Sequence, residues 1–191
     1  MDDSIRPLDL NLWLDVDLIR QQNFLKSQFI SILEAVANSV PLRDLEGISP
    51  RVRSSKISKG NDLLGLPYQV LDVVRDFDSV DGVNIRLLNW FGNGFFVSIL
   101  MGKNRKNPIL QLLQQGFSFG LSENKWDYPD LILNKNLSDD PKIIQRSDLD
   151  FHLWIKSVEI EKDPKATVAS LCREVKKILS MLELPSEQSR N

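Results

Sequence analysis

Val83-Asn84-Ile85-Arg86-Leu87-Leu88-Asn89-Trp90-Phe91-Gly92-Asn93-Gly94-Phe95-Phe96-Val97-Ser98-Ile99-Leu100-Met101 is the stretch whose reading decides the fold. Two apolar runs, 83–91 and 95–101, flank Gly92-Asn93-Gly94, and a short glycine-containing break between β-prone runs is the signature of an antiparallel hairpin. Both runs are apolar at nearly every position rather than at every second one, which predicts strands covered on both faces and therefore central in a sheet. Upstream, Tyr68 to Val74 is a further apolar run bounded by Pro67 and by the polar turn Asp76 to Gly82, so it is expected to pair beside 83–91.

Working outward, Leu8, Leu10, Leu12 and Leu14 alternate with Asp9, Asn11 and Trp13, a strand period. The period then changes. Leu18, Gln22, Leu25, Phe29, Ile32, Leu33, Val36 and Val40 fall on one face at helical spacing, with Asp15 or Asp17 as N-cap, an end near Asn38 and Pro41 just beyond it. Residues 41–66 carry Pro41, Gly47, Pro50, Gly60 and Gly65 among polar residues and read as a loop-rich connector with a short turn of helix. Pro108 opens a short helix over Ile109 to Gln115, and Phe117, Phe119 and Leu121 alternate as a strand. Residues 122–148 are polar and proline-containing, and Phe151 to Ile160 reads as a strand. The chain's clearest helix follows, capped by Asp163, opened by Pro164, striped by Val168, Leu171, Val175, Ile178, Leu179 and Leu182, and ended before Pro185. Long helices at both ends and a β-rich middle without regular βαβ alternation predict an α+β fold: an antiparallel sheet with a central hairpin at 83–101, packed by the two helices, in a single domain spanning 1–191.

Bulk properties limit the function classes. At 191 residues, 42% hydrophobic and 26% charged, the chain is long enough and apolar enough to fold unaided. A net charge of -2 supplies no global field toward nucleic acid or an anionic membrane. The start Met1-Asp2-Asp3 is acidic where a secretory signal is basic, and no apolar run is long enough to span a bilayer, so neither a leader nor a membrane partner is expected. Cys172 is the sole cysteine and forms no internal disulfide, which fits a reducing compartment and a cytoplasmic location.

The supply of catalytic residues is thin. With His152 the only histidine, a two-histidine metal site is excluded and any histidine-based triad depends on that residue. Lying between Phe151 and Leu153, it reads as a surface or packed structural histidine more readily than a functional one. Cys172, beside Leu171 on the terminal stripe, reads as a small buried hydrophobe. Gly92-Asn93-Gly94 lacks the third glycine and the strand-to-helix context of a dinucleotide fingerprint. Asp76, Asp78, Asp81 and Gly82 fail as a calcium loop, since Asp81 stands where glycine belongs and Leu87 where the bidentate glutamate belongs. Neither a metal nor a cofactor is called for. Basic segments occur at 51–59 (Arg51, Arg53, Lys56, Lys59) and 103–106 (Lys103, Arg105, Lys106), but no aromatic is interleaved to stack bases, so nucleic acid is an unfavoured partner. Trp126-Asp127-Tyr128-Pro129-Asp130 is a compact aromatic and acidic patch, either folded back on the core or, with Trp126 and Tyr128 exposed, a contact for a protein partner.

Ser55-Lys56-Ile57-Ser58-Lys59-Gly60, Leu66-Pro67-Tyr68-Gln69-Val70-Leu71-Asp72, Ile85-Arg86 and Trp90-Phe91-Gly92-Asn93 together resemble a group of uncharacterised bacterial cytosolic proteins with the pattern Lys-Ile-Ser-Lys-Gly, Leu-Pro-Tyr-x-x-Leu-Asp, Arg, Trp-Trp-Gly-Asn. The likeness covers roughly residues 55–101 and departs from the pattern at Val73-Val74-Arg75, where Tyr-Pro-Arg is expected, and at Phe91, which replaces the second tryptophan. It implies a bacterial cytosolic origin and no particular reaction.

Within that block Asp72 and Arg86 are charged residues among apolar neighbours, and buried charges need partners, so they are expected to pair. Two readings follow: a salt bridge that fixes sheet register, or a ligand cleft bordered by Tyr68, Asp72, Arg86 and Trp90. The leading function from sequence is a small non-enzymatic interaction or accessory protein. The alternatives are a small-ligand protein or enzyme built on Asp72 and Arg86, and a weak nucleic-acid binder using segments 51–59 and 103–106.

Overall fold

A computed structural model describes residues 7–183; Met1-Asp2-Asp3 and Pro185, used above, lie outside them. The elements in chain order are α1 (Leu10–Leu14), α2 (Val16–Asn38), α3 (Leu42–Glu46), β1 (Lys56–Leu63), β2 (Leu66–Asp76), β3 (Val83–Trp90), β4 (Gly94–Gly102), α4 (Ile109–Gln114), β5 (Ser118–Gly120), α5 (Tyr128–Leu133), β6 (Leu137–Ser138), α6 (Pro141–Gln145), β7 (Phe151–Val158) and α7 (Pro164–Leu182). The fold is α+β: a seven-stranded antiparallel sheet in the order β1-β2-β3-β4-β7-β5-β6, with the 83–101 hairpin at its centre and the two long helices packed against it.

One face of the sheet meets α2 and α7. Leu71, Ile85, Leu87, Val97, Ile99 and Trp154 form a core there with Leu33 and Val36 of α2 and Leu171, Val175 and Ile178 of α7, and each such burial contributes about 1.5–3 kcal/mol. Val73 is an extra residue on β2, for Asp72 pairs with Arg86 but Val74 pairs with Ile85. This bulge turns both Val73 and Val74 toward the helices, where both are fully buried, and leaves Asp72 on the opposite face. That second face carries Val70, Leu88, Trp90, Phe96 and Ile155 under Tyr128 and Ile132 of α5. No helix among the described residues is long and apolar enough to cross a membrane.

Several expectations are corrected. Residues 8–14 do not form a strand: α1 is a turn of helix in which the Asp9 carboxylate accepts from the Leu12 N–H (2.9 Å), and Asp15 then caps α2 by accepting from Leu18 N–H (2.9 Å). Alternation makes a strand only where a neighbouring strand takes up its hydrogen bonds, and here the local Asp caps win. The connector 41–66 holds α3 and also β1, an edge strand paired to β2; its polar, glycine-containing sequence hid it because an edge needs no apolar run. Residues 122–148, read as loop, contain α5, β6 and α6. The hairpin loop is Phe91-Gly92-Asn93 rather than Gly92-Asn93-Gly94, since Trp90 still pairs with Gly94 and Asn93 N–H donates to Trp90 O (2.9 Å). Gly92 there adopts φ +87°, which glycine reaches without strain. Leu18 and Leu25 of the predicted α2 stripe are solvent-exposed, because both lie before Gln28, the level at which α7 begins to cover the helix.

Candidate functional site

The bulge and the strand register place Asp72, Arg86 and Ser98 in one line across β2, β3 and β4 on the face opposite the long helices. Arg86 grips Asp72 with both ends of the guanidinium fork: Nε donates to Oδ1 at 2.8 Å and Nη2 to Oδ2 at 3.2 Å, with side-chain exposures of 15% and 8%. Asn84 Nδ2 donates to the same Oδ1 at 3.0 Å, so the carboxylate charge is met by three N–H groups. Two further atoms of this polar row, Arg75 Nε and Asn84 Oδ1, are buried with no hydrogen-bond partner among the described residues.

The loop before α5 supplies the other half. Asp127 caps α5 by accepting from Asp130 N–H (3.3 Å), which fixes Tyr128 as the first helical residue. Tyr128 is buried, its hydroxyl 3.2 Å from that of Ser98. Trp126, two residues earlier, lays its ring over the Arg86 guanidinium at 4.7 Å, and the Tyr128 ring lies 5.8 Å from the same group. Burial pulls the Arg86 pKa down, but the Tyr128 hydroxyl and the Asp72 carboxylate more than offset it and hold the guanidinium above its ordinary value. Burial likewise pushes the Tyr128 phenol up, against the opposing influence of Arg86 and Ser98, so both groups keep their protons at neutral pH.

The cleft and the aromatic patch, separate in sequence, are therefore one place. The structure brings together Tyr68, Asp72, Arg86, Trp126 and Tyr128; it does not bring Trp90. That ring is fully buried beneath the cleft, its indole N–H donating to Leu63 O at 3.2 Å, because Trp90 is the last residue of β3 and is roofed by the Leu63 turn. Of the patch, Trp126 is exposed and Tyr128 is folded onto the core. Phe77, which sequence reasoning passed over, joins them by an edge-to-face contact with Trp126 (5.9 Å, 62°); a large aromatic inside the polar 76–82 turn was its only signal. Together with Leu63, Val70 and Leu88 from the sheet, these residues enclose a cleft of about 350 Å³.

A second surface belongs to the N-terminal helices. Leu10, Trp13, Leu14, Ile19, Phe24 and Leu25 are exposed, Trp13 by 70% and Phe24 by 66%, whereas Ile32, Leu33 and Val36 further along α2 are buried. α7 begins level with Gln28: Gln28, Ser31 and Ile32 of α2 and Pro164, Lys165 and Val168 of α7 line a notch of about 270 Å³ where the covering of α2 stops.

The remaining candidates are placed as follows. His152 is half-buried on the helix-covered face, 6.3 Å from the Phe119 ring, and burial lowers its pKa against the opposing effect of a hydrogen bond from its ring to the Lys103 backbone. Cys172 packs half-buried between α7 and α2, its thiol 3.1 Å from the Ser39 hydroxyl. In the basic segments Arg51 lies beside Asp76 (3.5 Å) and Asp78 (3.3 Å), Lys103 pairs with Asp150 (2.8 Å), and Arg105 turns inward to the carbonyls of Ile48 (2.5 Å) and Leu182 (3.4 Å). Lys56 and Lys59 stand on β1.

No family model, no curated protein and no solved structure matches the chain.

Proposed function

We propose that this chain is a small non-enzymatic interaction protein of the bacterial cytoplasm that docks an apolar helix of another protein along the N-terminal part of α2. The carrying observation is that the apolar stripe of α2, interrupted by Gln22, runs on from Leu18 to Val36, yet only its C-terminal part, from Ile32 on, is sealed in the core. Leu18 and Leu25 lie in phase with that buried stripe and are open to water, and α1, immediately before α2 in the chain, exposes Trp13 and Leu14 as well. Several large apolar side chains exposed on neighbouring elements are the mark of an interaction surface. A helix is the fitting occupant, because α7 is itself an amphipathic helix lying on the same stripe and stopping at the Gln28–Pro164 notch, so a second helix laid along α2 continues an existing packing. The cytoplasmic bacterial setting rests on the resemblance of residues 55–101 and on the lone Cys172.

The test compares the wild type with Leu18→Asp/Leu25→Asp, two exposed positions whose change leaves the core intact. Proteins captured from a bacterial lysate are identified, and a synthetic peptide covering an amphipathic helix of the captured protein is titrated against both chains. Saturable binding that weakens at least about tenfold in the double variant supports the reading. Equal binding to both chains, no helical peptide that binds, or a wild type that only self-associates through this surface overturns it.

A further inference from the structure

We propose that the cleft between β1–β3 and the 122–128 loop is a second, independent site, one that binds a neutral, flat aromatic small molecule carrying a hydrogen-bond acceptor such as an amide carbonyl. Its volume of about 350 Å³ falls in the range of small-ligand pockets. Three of its walls are the rings of Tyr68, Phe77 and Trp126, and such surfaces favour a planar guest that stacks or meets them edge-on. The apolar side chains Val70 and Leu88 give it a floor that repays only apolar contact.

The polar group of the cleft selects the charge of the guest. Among the described residues Arg86 is the sole charged one lining it, and that charge is already matched by the bidentate Asp72 beneath. An anion must share the guanidinium with Asp72 at the cost of two carboxylates meeting in a half-buried space, and a cation must face Arg86 directly, so both are disfavoured. The Trp126 ring covers the guanidinium face at 4.7 Å, which leaves its edge. Nε and Nη2 are engaged by Asp72 and the Tyr128 hydroxyl also lies against the guanidinium, while Nη1 makes no close hydrogen bond among the described residues and is not among their fully buried, unpartnered atoms. An uncharged acceptor on the guest satisfies that N–H without disturbing the ion pair. The same pair therefore holds the sheet and presents one donor, which makes the structural and ligand-binding readings of Asp72 and Arg86 compatible rather than exclusive.

The test uses three probes of one shape and different charge, 2-naphthamide, 2-naphthoate and 2-naphthamidine, titrated into the full-length ¹⁵N-labelled chain. The Trp126 indole N–H resonance is assigned by its loss in Trp126→Ala. We expect 2-naphthamide to shift that resonance saturably with a Kd of roughly 0.1–1 mM, the range set by its small number of heavy atoms. The charged probes should bind at least about tenfold more weakly, and Phe77→Ala, a half-exposed position, should weaken 2-naphthamide by a similar factor while the amide spectrum stays folded. The proposal is overturned if 2-naphthamide gives no saturable shift up to its solubility limit, if either charged probe binds as tightly, or if Phe77→Ala leaves the affinity unchanged. None of these outcomes depends on the α2 surface.

Discussion

Asp72 and Arg86 face one another across the β2–β3 ladder, and their environment sets what removing either one costs. Asp72 is nearly buried, so Arg86→Ala leaves a carboxylate with only the Asn84 amide to meet it, and Asp72→Ala leaves a buried guanidinium under Trp126. Each change is expected to destabilise the fold by about 3–5 kcal/mol, while the double change costs far less than the sum because the charge left behind is gone. In a chain of this length such a loss lowers Tm by roughly 10 °C. Thermal melts of both single variants and the double variant measure the coupling. Additive effects, or stable single variants, contradict an ion pair that fixes the sheet. The pair was legible in sequence, since a charge inside an apolar strand demands a partner on the adjacent strand. Its cover was not: Trp126 lies on a loop that no local pattern ties to β3.

At the scale of elements, the turn between β2 and β3 is locked over the end of β4. Gly102 N–H donates to Gly82 O (2.9 Å) and Asn104 N–H to Val80 O (2.9 Å), while Asp78 accepts from the N–H groups of Val80 (3.0 Å) and Asp81 (2.8 Å). A Cβ on Gly102 would overlap the Val80 carbonyl, a backbone group that cannot step aside. Gly102→Ala is therefore expected to cost about 1–3 kcal/mol or more. At Gly47 a Cβ meets open space and φ is -66°, so Gly47→Ala should be neutral or stabilise by about 0.4–1 kcal/mol. Urea denaturation of the two variants gives the comparison, and equal stabilities would refute the close approach at Gly102. The aspartates that read as a failed calcium loop thus have a structural use, as turn-formers. Among the helices, the start of α7 was readable to the residue because its signals are local: Asp163 accepts from Lys165 and Ala166 N–H (3.1 and 3.3 Å), and Pro164 needs no donor at the first position. Residues 8–14 misled because alternation alone does not supply a neighbouring strand.

Across the whole molecule, acid stability should fall in two separate windows. Burial depresses the His152 pKa, so the unfolded chain, with a value near 6.5, binds the proton first, and stability present above that value is lost as pH falls through the lower folded value. Backbone N–H groups of Asp81 and Val80 lower the pKa of Asp78, the Asn136 and Asn134 amides lower that of Asp130, and Lys103 lowers that of Asp150. Their contributions are present above the ordinary carboxylate value of 3.8 and disappear only below it. Since His152 is the only histidine, the upper window belongs to it alone. Tm measured between about pH 7 and pH 5 should decline in the wild type and stay flat in His152→Gln, with both chains falling together in stronger acid. Parallel curves in the upper window would rule out a half-buried imidazole kept neutral by the fold.

By itself the sequence determined the α+β class, the central hairpin, the place of both long helices and the cap of the last one, because a hairpin, a capped helix and a buried strand each write their burial pattern and turn chemistry into neighbouring residues. Only the tertiary structure decided that β7 pairs with β4 and β5 with β7, that the polar segment 56–63 is an edge strand, and that Trp126 and Phe77 close over Arg86. These contacts join residues far apart in the chain, and what selects them is the fit of whole faces and the closure of long loops, which no local period records. The same limit applies to α2, whose apolar stripe keeps one period from Leu18 to Val36, broken only at Gln22, although one half is core and the other half faces water, because burial is settled by where α7 begins.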